Sequence, residues 1–176
     1  MSIDTVKNQV ENELSKLIGE RIRLFRRAAF MLNVCFGSDV AHRSLTGARQ
    51  NINISTEPRF NLHIHSSWRL LQDDEICLGQ SDMFNRMAGF KTTEKDDMMY
   101  VEDAVFDEFS KELNQNFEMK RINIIKVEAN ELGDLKICME DNYCLEVFVD
   151  TCGNNESWRF FDINEEKEHF VVFEED

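Results

Sequence analysis

The chain has 176 residues, 42% of them hydrophobic, 14 of them Phe, and a formal net charge of −14. That is enough apolar material for one domain with a real core, and it excludes a disordered polyelectrolyte. There is no run of about 18 apolar residues to suggest a transmembrane helix, and MSIDTVKNQVENELSK has no apolar stretch of the kind a secretory signal needs. The charge is unevenly placed. Met1 to Gly89 holds 11 Lys and Arg against 10 Asp and Glu, whereas Phe90 to Asp176 holds 9 against 24, a net of −15. Such a surface repels nucleic acid and acidic membranes and attracts basic protein. The five cysteines are odd in number and lack CxxC spacing, which fits reduced thiols in a cytoplasmic protein.

In chain order, Val6, Val10, Leu14, Leu17 and Ile18 recur at helical spacing. They predict a helix over 4–18 with Asp4 as N-cap and Gly19 at its end. Arg21 to Phe36 reads as one strand, ambiguous at Arg26 to Ala29, with Gly37-Ser38-Asp39 as a turn. Asp39 to Gln50 reads as loop within a poorly patterned stretch. Arg59 to Ile64 alternates, with Phe60, Leu62 and Ile64 on one face and Asn61, His63 and His65 on the other. Trp68 to Leu71 is a further strand, and Gln72-Asp73-Asp74 turns the chain into Glu75 to Leu78. Residues 79–100 form an irregular connection. A helix follows over 102–117 with Val101, Val105, Phe109 and Leu113 inward, widened by Phe106, and Glu102 and Asp103 at its positive end. Then come strands at Ile122–Glu128, Asp134–Met139, Cys144–Val149, Ser157–Asp162 and Phe170–Phe173. Together these predict a single α+β domain over 1–176, with seven to nine mainly antiparallel strands.

The only two Trp residues share a context. Ser67-Trp68-Arg69-Leu70-Leu71 and Ser157-Trp158-Arg159-Phe160-Phe161 each follow an alternating strand and precede a turn and another apolar run. This predicts a strand-meander unit used twice, over 21–78 and 122–173. In each, Trp packs inward and Arg stays wet or pairs with a carboxylate. The span Asn61-Leu62-His63-Ile64-His65-Ser66-Ser67-Trp68-Arg69 resembles an LH(I/V)xxxWR(I/L) signature of small bacterial proteins. The resemblance continues through Val105-Phe106-Asp107, Gly133-Asp134-Leu135 and Leu145-Glu146-Val147-Phe148 to Trp158-Arg159-Phe160-Phe161, covering roughly 60–173. Many proteins of that group are similar to immunity proteins of polymorphic toxin and contact-dependent growth inhibition systems. The resemblance implies a cognate toxin domain as partner and assigns no individual contact residue.

No activated nucleophile, Walker loop or GxGxxG is present, so no catalytic residue and no cofactor is expected. His63-x-His65 sets two imidazoles on one strand face, where Cys77, Asp82 or His42 could add a third metal ligand. A metal-dependent or small-ligand enzyme using His63, His65 and Cys77 is therefore the rival reading, and an acidic regulatory subunit is a third. No metal is expected if Leu62 and Ile64 face inward. The favoured expectation is occlusion of a basic nuclease, an RNase before a DNase, because a nuclease must hold phosphates with cationic groups. The candidate contact residues are acids in the late loops: Glu131, Asp134, Glu140, Asp141, Asp150, Glu156, Glu165, Glu166 and Glu168.

Overall fold

In the computed structural model the first helix, α1 (Val6–Leu14), is capped by Thr5, whose side chain accepts from the Asn8 amide at 3.4 Å. The structure describes residues 5–46, 51–87, 104–152, 155–165 and 169–172, and for 42–46 and 51–54 the backbone alone. Asp4, the expected cap, lies outside these residues. Val10 and Leu14 turn inward, joined by Leu17 from a 3-10 turn (Ser15–Leu17). Gly19 then takes φ +86° and ends the segment, as its position suggested.

The stretch expected as one strand is a hairpin of β1 (Ile22–Ala28) and β2 (Met31–Thr46). The chain reverses at Ala29 and Phe30, with Ala29 at φ +53°. A left-handed alanine carries no sequence signal, which is why the turn is missed. Gly37-Ser38-Asp39 makes a bulge inside β2 instead of a turn. Phe36 pairs with Phe60 and Asp39 with Pro58 of β3 (Asn51–Ile64), so two residues of β2 face one. The expected loop after Asp39 is also strand, paired from Asp39↔Pro58 to Thr46↔Asn51. Its described side chains, 39–41 and 55–59, are exposed or half-buried. These described side chains form no buried face for a hydrophobic period to mark.

β4 (Ser67–Gln72) and β5 (Glu75–Gly79) form a hairpin through Asp73 and Asp74, both at positive φ. A 3-10 turn (Gln80–Met83) follows, and α2 (Val105–Lys120) begins after Ala104. The helix expected over 102–117 therefore sits about three residues later, and Val101, Glu102 and Asp103 lie outside the described residues. Its buried stripe is Phe106, Ser110, Leu113 and Phe117, while Phe109 is 46% exposed. Steps of four alone drift around a 3.6-residue helix, and the observed 4-3-4 spacing keeps one face. The remaining strands fall close to expectation: β6 (Ile124–Ala129), β7 (Leu135–Met139), β8 (Tyr143–Phe148), β9 (Trp158–Asp162) and β10 (Phe170–Val172). The fold is α+β, with two helices and ten strands among the described residues. The strands form two antiparallel sheets ordered β1-β2-β3-β9-β10 and β5-β4-β8-β7-β6.

That order shows how the repeated unit is used. Each sheet combines a three-stranded meander from one unit with the two-stranded hairpin from the other. Trp158 of β9 pairs opposite Ile64 of β3, and Trp68 of β4 opposite Val147 of β8. The two meanders meet in a short two-fold-like bridge. Arg21 faces Asn123, the Ile22 amide donates to the Ile122 carbonyl at 3.0 Å, and the Ile124 amide donates to the Glu20 carbonyl at 2.8 Å. The helices follow the exchange, with α1 packing on β6 and α2 on β1. One core serves both sheets. Phe25 of β1 meets Trp68 of β4 edge-on at 5.4 Å, and Phe106 of α2 closes the cluster at 6.0 and 5.9 Å from them. Such ring pairs add about 0.5–1.5 kcal/mol each beyond burial. No helix of the described residues is long and apolar enough to cross a membrane.

Candidate functional site

Most of the acids proposed from sequence are built into the fold. Asp134 accepts from Asn130 Nδ2 at 2.9 Å and from the Val149 amide at 2.7 Å. Glu140 accepts from the amide and Nδ2 of Asn123 at 2.9 and 3.0 Å. Asp150 takes the hydroxyl and amide of Ser67, which fixes the start of β4. Glu156 bonds Arg159 and lies 3.5 Å from His65 Nε2. Burial opposes ionisation of Glu156, but Arg159 holds its carboxyl below the usual range. Glu165 lies 3.7 Å from Lys16. Glu131 is exposed in the β6–β7 loop with no partner among the described residues. Glu166 and Glu168 lie outside them.

The histidines and Cys77 do not meet. His63 is half-buried on the outer face of β3, with the Phe161 ring edge-on at 5.0 Å, and Cys77 sits on β5 of the other sheet. Asp82 binds the Gly79 amide at 2.8 Å, and the His42 side chain lies outside the described part. No group of three or more metal-ligating side chains forms among the described residues.

What the fold does assemble is an acidic tip on the second sheet. The β4–β5 turn and the β7–β8 turn lie side by side. Asn142 Nδ2 donates to Asp73 Oδ1 at 2.7 Å, and the Asp73 amide faces the Asn142 carbonyl at 3.4 Å. Asp141 and Asn142 both take left-handed φ, as Asp73 and Asp74 do, so each turn is the two-residue kind that suits a tight hairpin. Asp73, Asp74, Glu75, Glu140 and Asp141 gather here. Lys120, 2.6 Å from Asp141, is held protonated first by that bond. Asp74 and Glu75 have no cationic partner among the described residues.

Apolar surface flanks the tip on both sides. Between β5 and α2 a cleft of about 290 Å³ is lined by Cys77, Phe109, Glu112, Leu113 and Tyr143, and Glu112 too has no cationic partner among the described residues. Burial pushes the Cys77 thiol and the Tyr143 hydroxyl up, and the latter accepts from Asn116 Nδ2 at 2.8 Å. On the outer sheet face a second cleft of about 510 Å³ runs past Asp73, Asp74, Ile125, Cys138 and Cys144. Three apolar side chains are exposed in this part of the fold: Ile125 (57%) in the second cleft, Phe109 in the first, and Ile76 (64%) on β5. β5 is an edge strand of the sheet as described.

The sequence places a turn at Gln72-Asp73-Asp74 and a short break between the strands ending at Met139 and starting at Cys144, but does not show their adjacency, because a strand exchange leaves no local signal. Sequence reasoning also passed over Asp74, Glu75 and Glu112, which lie outside the late loops. The exposure of Ile76 has no signature in the sequence, where it opens the apolar run Ile76-Cys77-Leu78. No family model matches the chain, and no curated protein and no solved structure matches it.

Proposed function

We propose that this chain is a binding protein that covers a basic protein surface with its acidic tip, and that the partner is a toxin domain of the nuclease kind. The observation that carries the reading is three carboxylates with no cationic partner among the described residues: Asp74 and Glu75 next to exposed Ile76 in the chain, and Glu112 sharing a cleft with exposed Phe109. A charged rim around apolar anchors is the make-up of a specific protein interface. The carboxylates steer a cationic partner and stand where its phosphate ligands would bind, and the apolar groups supply the hold. The likeness to immunity proteins supports the toxin as partner, and the cationic ground of a nuclease site supports the nuclease, an RNase before a DNase. The raised Cys77 and Tyr143 are protonated at neutral pH, which suits a binding cleft better than a nucleophilic one.

Co-expression with a toxin domain encoded beside this gene tests the proposal. The two proteins should co-elute on gel filtration, and association should slow steeply as salt rises. The triple change Asp74→Lys, Glu75→Lys, Glu112→Lys should abolish protection at moderate salt, while Glu131→Lys should leave it intact. Absence of a complex, or an association rate indifferent to salt, would sink the idea. Loss through Glu131→Lys alone would move the interface to the β6–β7 loop and overturn the assignment of the tip.

A further inference from the structure

On the outer face of the second sheet, Cys138 of β7 and Cys144 of β8 stand directly opposite each other in the antiparallel ladder. Their Sγ atoms are 2.8 Å apart. Both thiols line the cleft that also holds Asp73, Asp74, Ile125 and Lys136, so they face the outside and not the core. Cys138 is half-buried and Cys144 is almost covered. We propose that this pair is a dithiol site that reacts with low-molecular-weight disulfides of the glutathione class and closes to a cross-strand disulfide.

Three observations support this. The ladder already fixes both Cα positions, and residues opposite each other on antiparallel strands lie within the span a disulfide needs. The thiols are held together, so the second step is intramolecular and outruns escape of the mixed disulfide. The remaining cysteines have no such neighbour: Cys35 is enclosed between Asn33 and Asn61, Cys77 lies on the edge strand, and Cys152 is isolated and exposed.

The order of events follows from exposure. Burial, then the bond to Cys138, pushes the Cys144 thiol up to about 12, so Cys144 stays protonated and Cys138 attacks first. Cys138 gives its proton to solvent, and its sulfur bonds one sulfur of the disulfide while the other leaves as a thiolate. Cys144 then passes its proton to that thiolate and attacks the Cys138 sulfur, expelling the second thiolate, which takes a proton from water. Two protein thiols are oxidised, one small disulfide is reduced to two thiols, and the protein loses two hydrogens. The new bond ties β7 to β8 close to the turn bearing Asp141 and Asn142. This inference stands independently of the partner proposed above.

The test treats the full chain with oxidised glutathione at mildly alkaline pH, quenches with an alkylating agent and reads intact mass and peptide maps. The wild-type protein should lose two hydrogens, with Cys138 linked to Cys144 and no glutathione retained. Cys144→Ser should trap glutathione on Cys138, retaining at least about tenfold more than the wild type. Cys138→Ser should leave Cys144 unmodified. A Cys77→Ser, Cys152→Ser background should close as the wild type does. Retention of glutathione on Cys138 in the wild type would overturn the proposal. So would a link from Cys138 or Cys144 to any other cysteine, or a pair that stays reduced while Cys152 reacts.

Discussion

His63 makes the fold sensitive to mild acid, and the size of the effect can be worked from its surroundings. The imidazole lies on the outer face of the first sheet, opposite Asn33 on one side and Arg159 on the other. Phe161 meets it edge-on and stacks on His169 at 4.1 Å. Burial first, then Arg159, then His65 push its pKa down to about 4, against a smaller opposing pull from Glu156. In the unfolded chain the group titrates near 6.5. Between those values the unfolded state binds the proton and the folded state does not, so stability is full above about pH 6.5 and falls as pH drops toward 4. Ideal linkage gives about 1.8 kcal/mol between pH 7 and pH 5, and screening of a half-buried group reduces this to about 1 kcal/mol. Glu146, Glu156 and Asp162 have lowered carboxyl pKa values, so their contribution is present at both pH values and is lost only in stronger acid. Urea unfolding of the wild type and of His63→Gln at pH 7 and pH 5 measures the difference directly. The wild type should lose about 1 kcal/mol more than the variant. Equal losses, or a wild type that gains stability at pH 5, would refute the reasoning.

Arg27, with 5% of its side chain exposed, bonds both Asp107 oxygens at 2.8 and 2.6 Å and the Met83 carbonyl at 3.0 Å, tying β1 to α2. Asp107→Ala should cost about 3 kcal/mol in urea unfolding by stranding that guanidinium, while Glu108→Ala, which breaks the exposed pair with Lys111, should cost under about 1 kcal/mol. Gly37 and Gly19 both hold positive φ, but a Cβ on Gly37 would come 3.2 Å from Phe60 and from Glu20, whereas on Gly19 it would meet nothing within 4 Å. Gly19→Ala should therefore cost about 1 kcal/mol and Gly37→Ala clearly more, read as thermal midpoints. The equivalent tryptophans differ at nitrogen: Trp158 Nε1 donates to the Gly133 carbonyl at 3.0 Å, and buried Trp68 Nε1 has no acceptor among the described residues. Trp158→Phe should thus destabilise by about 1 kcal/mol more than Trp68→Phe in the same assay.

How far the fold is legible depends on whether an element has one buried face. Phe60, Leu62 and Ile64 alternate because β3 there lies on the core, and β7 to β9 are legible for the same reason. The arm beyond the Gly37 bulge is held by its ladder, and its described side chains, 39–41 and 55–59, form no buried face, so this part reads as loop. The helix of residues 105–120 was located, but Phe109 was assigned to the wrong side, since spacing does not say which apolar residue a cleft leaves open. The site was less legible than the fold. Acids are plentiful in the late loops, but the carboxylates of Asp134, Glu140 and Asp150 serve to lock turns and strand ends. Function at a carboxylate shows in the partner it lacks, and partners are a property of the folded chain.

The strand exchange also explains why the tip forms where it does. In the first unit the β4–β5 connection is two residues long, and the β2–β3 connection carries the long arm. In the second unit the lengths are reversed: β7–β8 turns tightly at Asp141 and Asn142, and the longer run lies between β9 and β10. Had each unit kept its own hairpin, each sheet would end in one tight turn and one long connection. Exchange sorts them. Both tight turns fall on the second sheet, where Asn142 bonds Asp73. Both long connections fall on the first, where the Ile163 amide donates to the Arg59 carbonyl at 3.0 Å. The tip is therefore joint property of the two units. Asp73, Asp74 and Glu75 come from the nearly neutral half of the sequence, and Glu112, Glu140 and Asp141 come from the acidic half. The charge split along the chain marks no boundary on the surface. On the proposed function, the acids that matter most for a cationic partner are Asp74, Glu75 and Glu112, which have no cationic partner among the described residues.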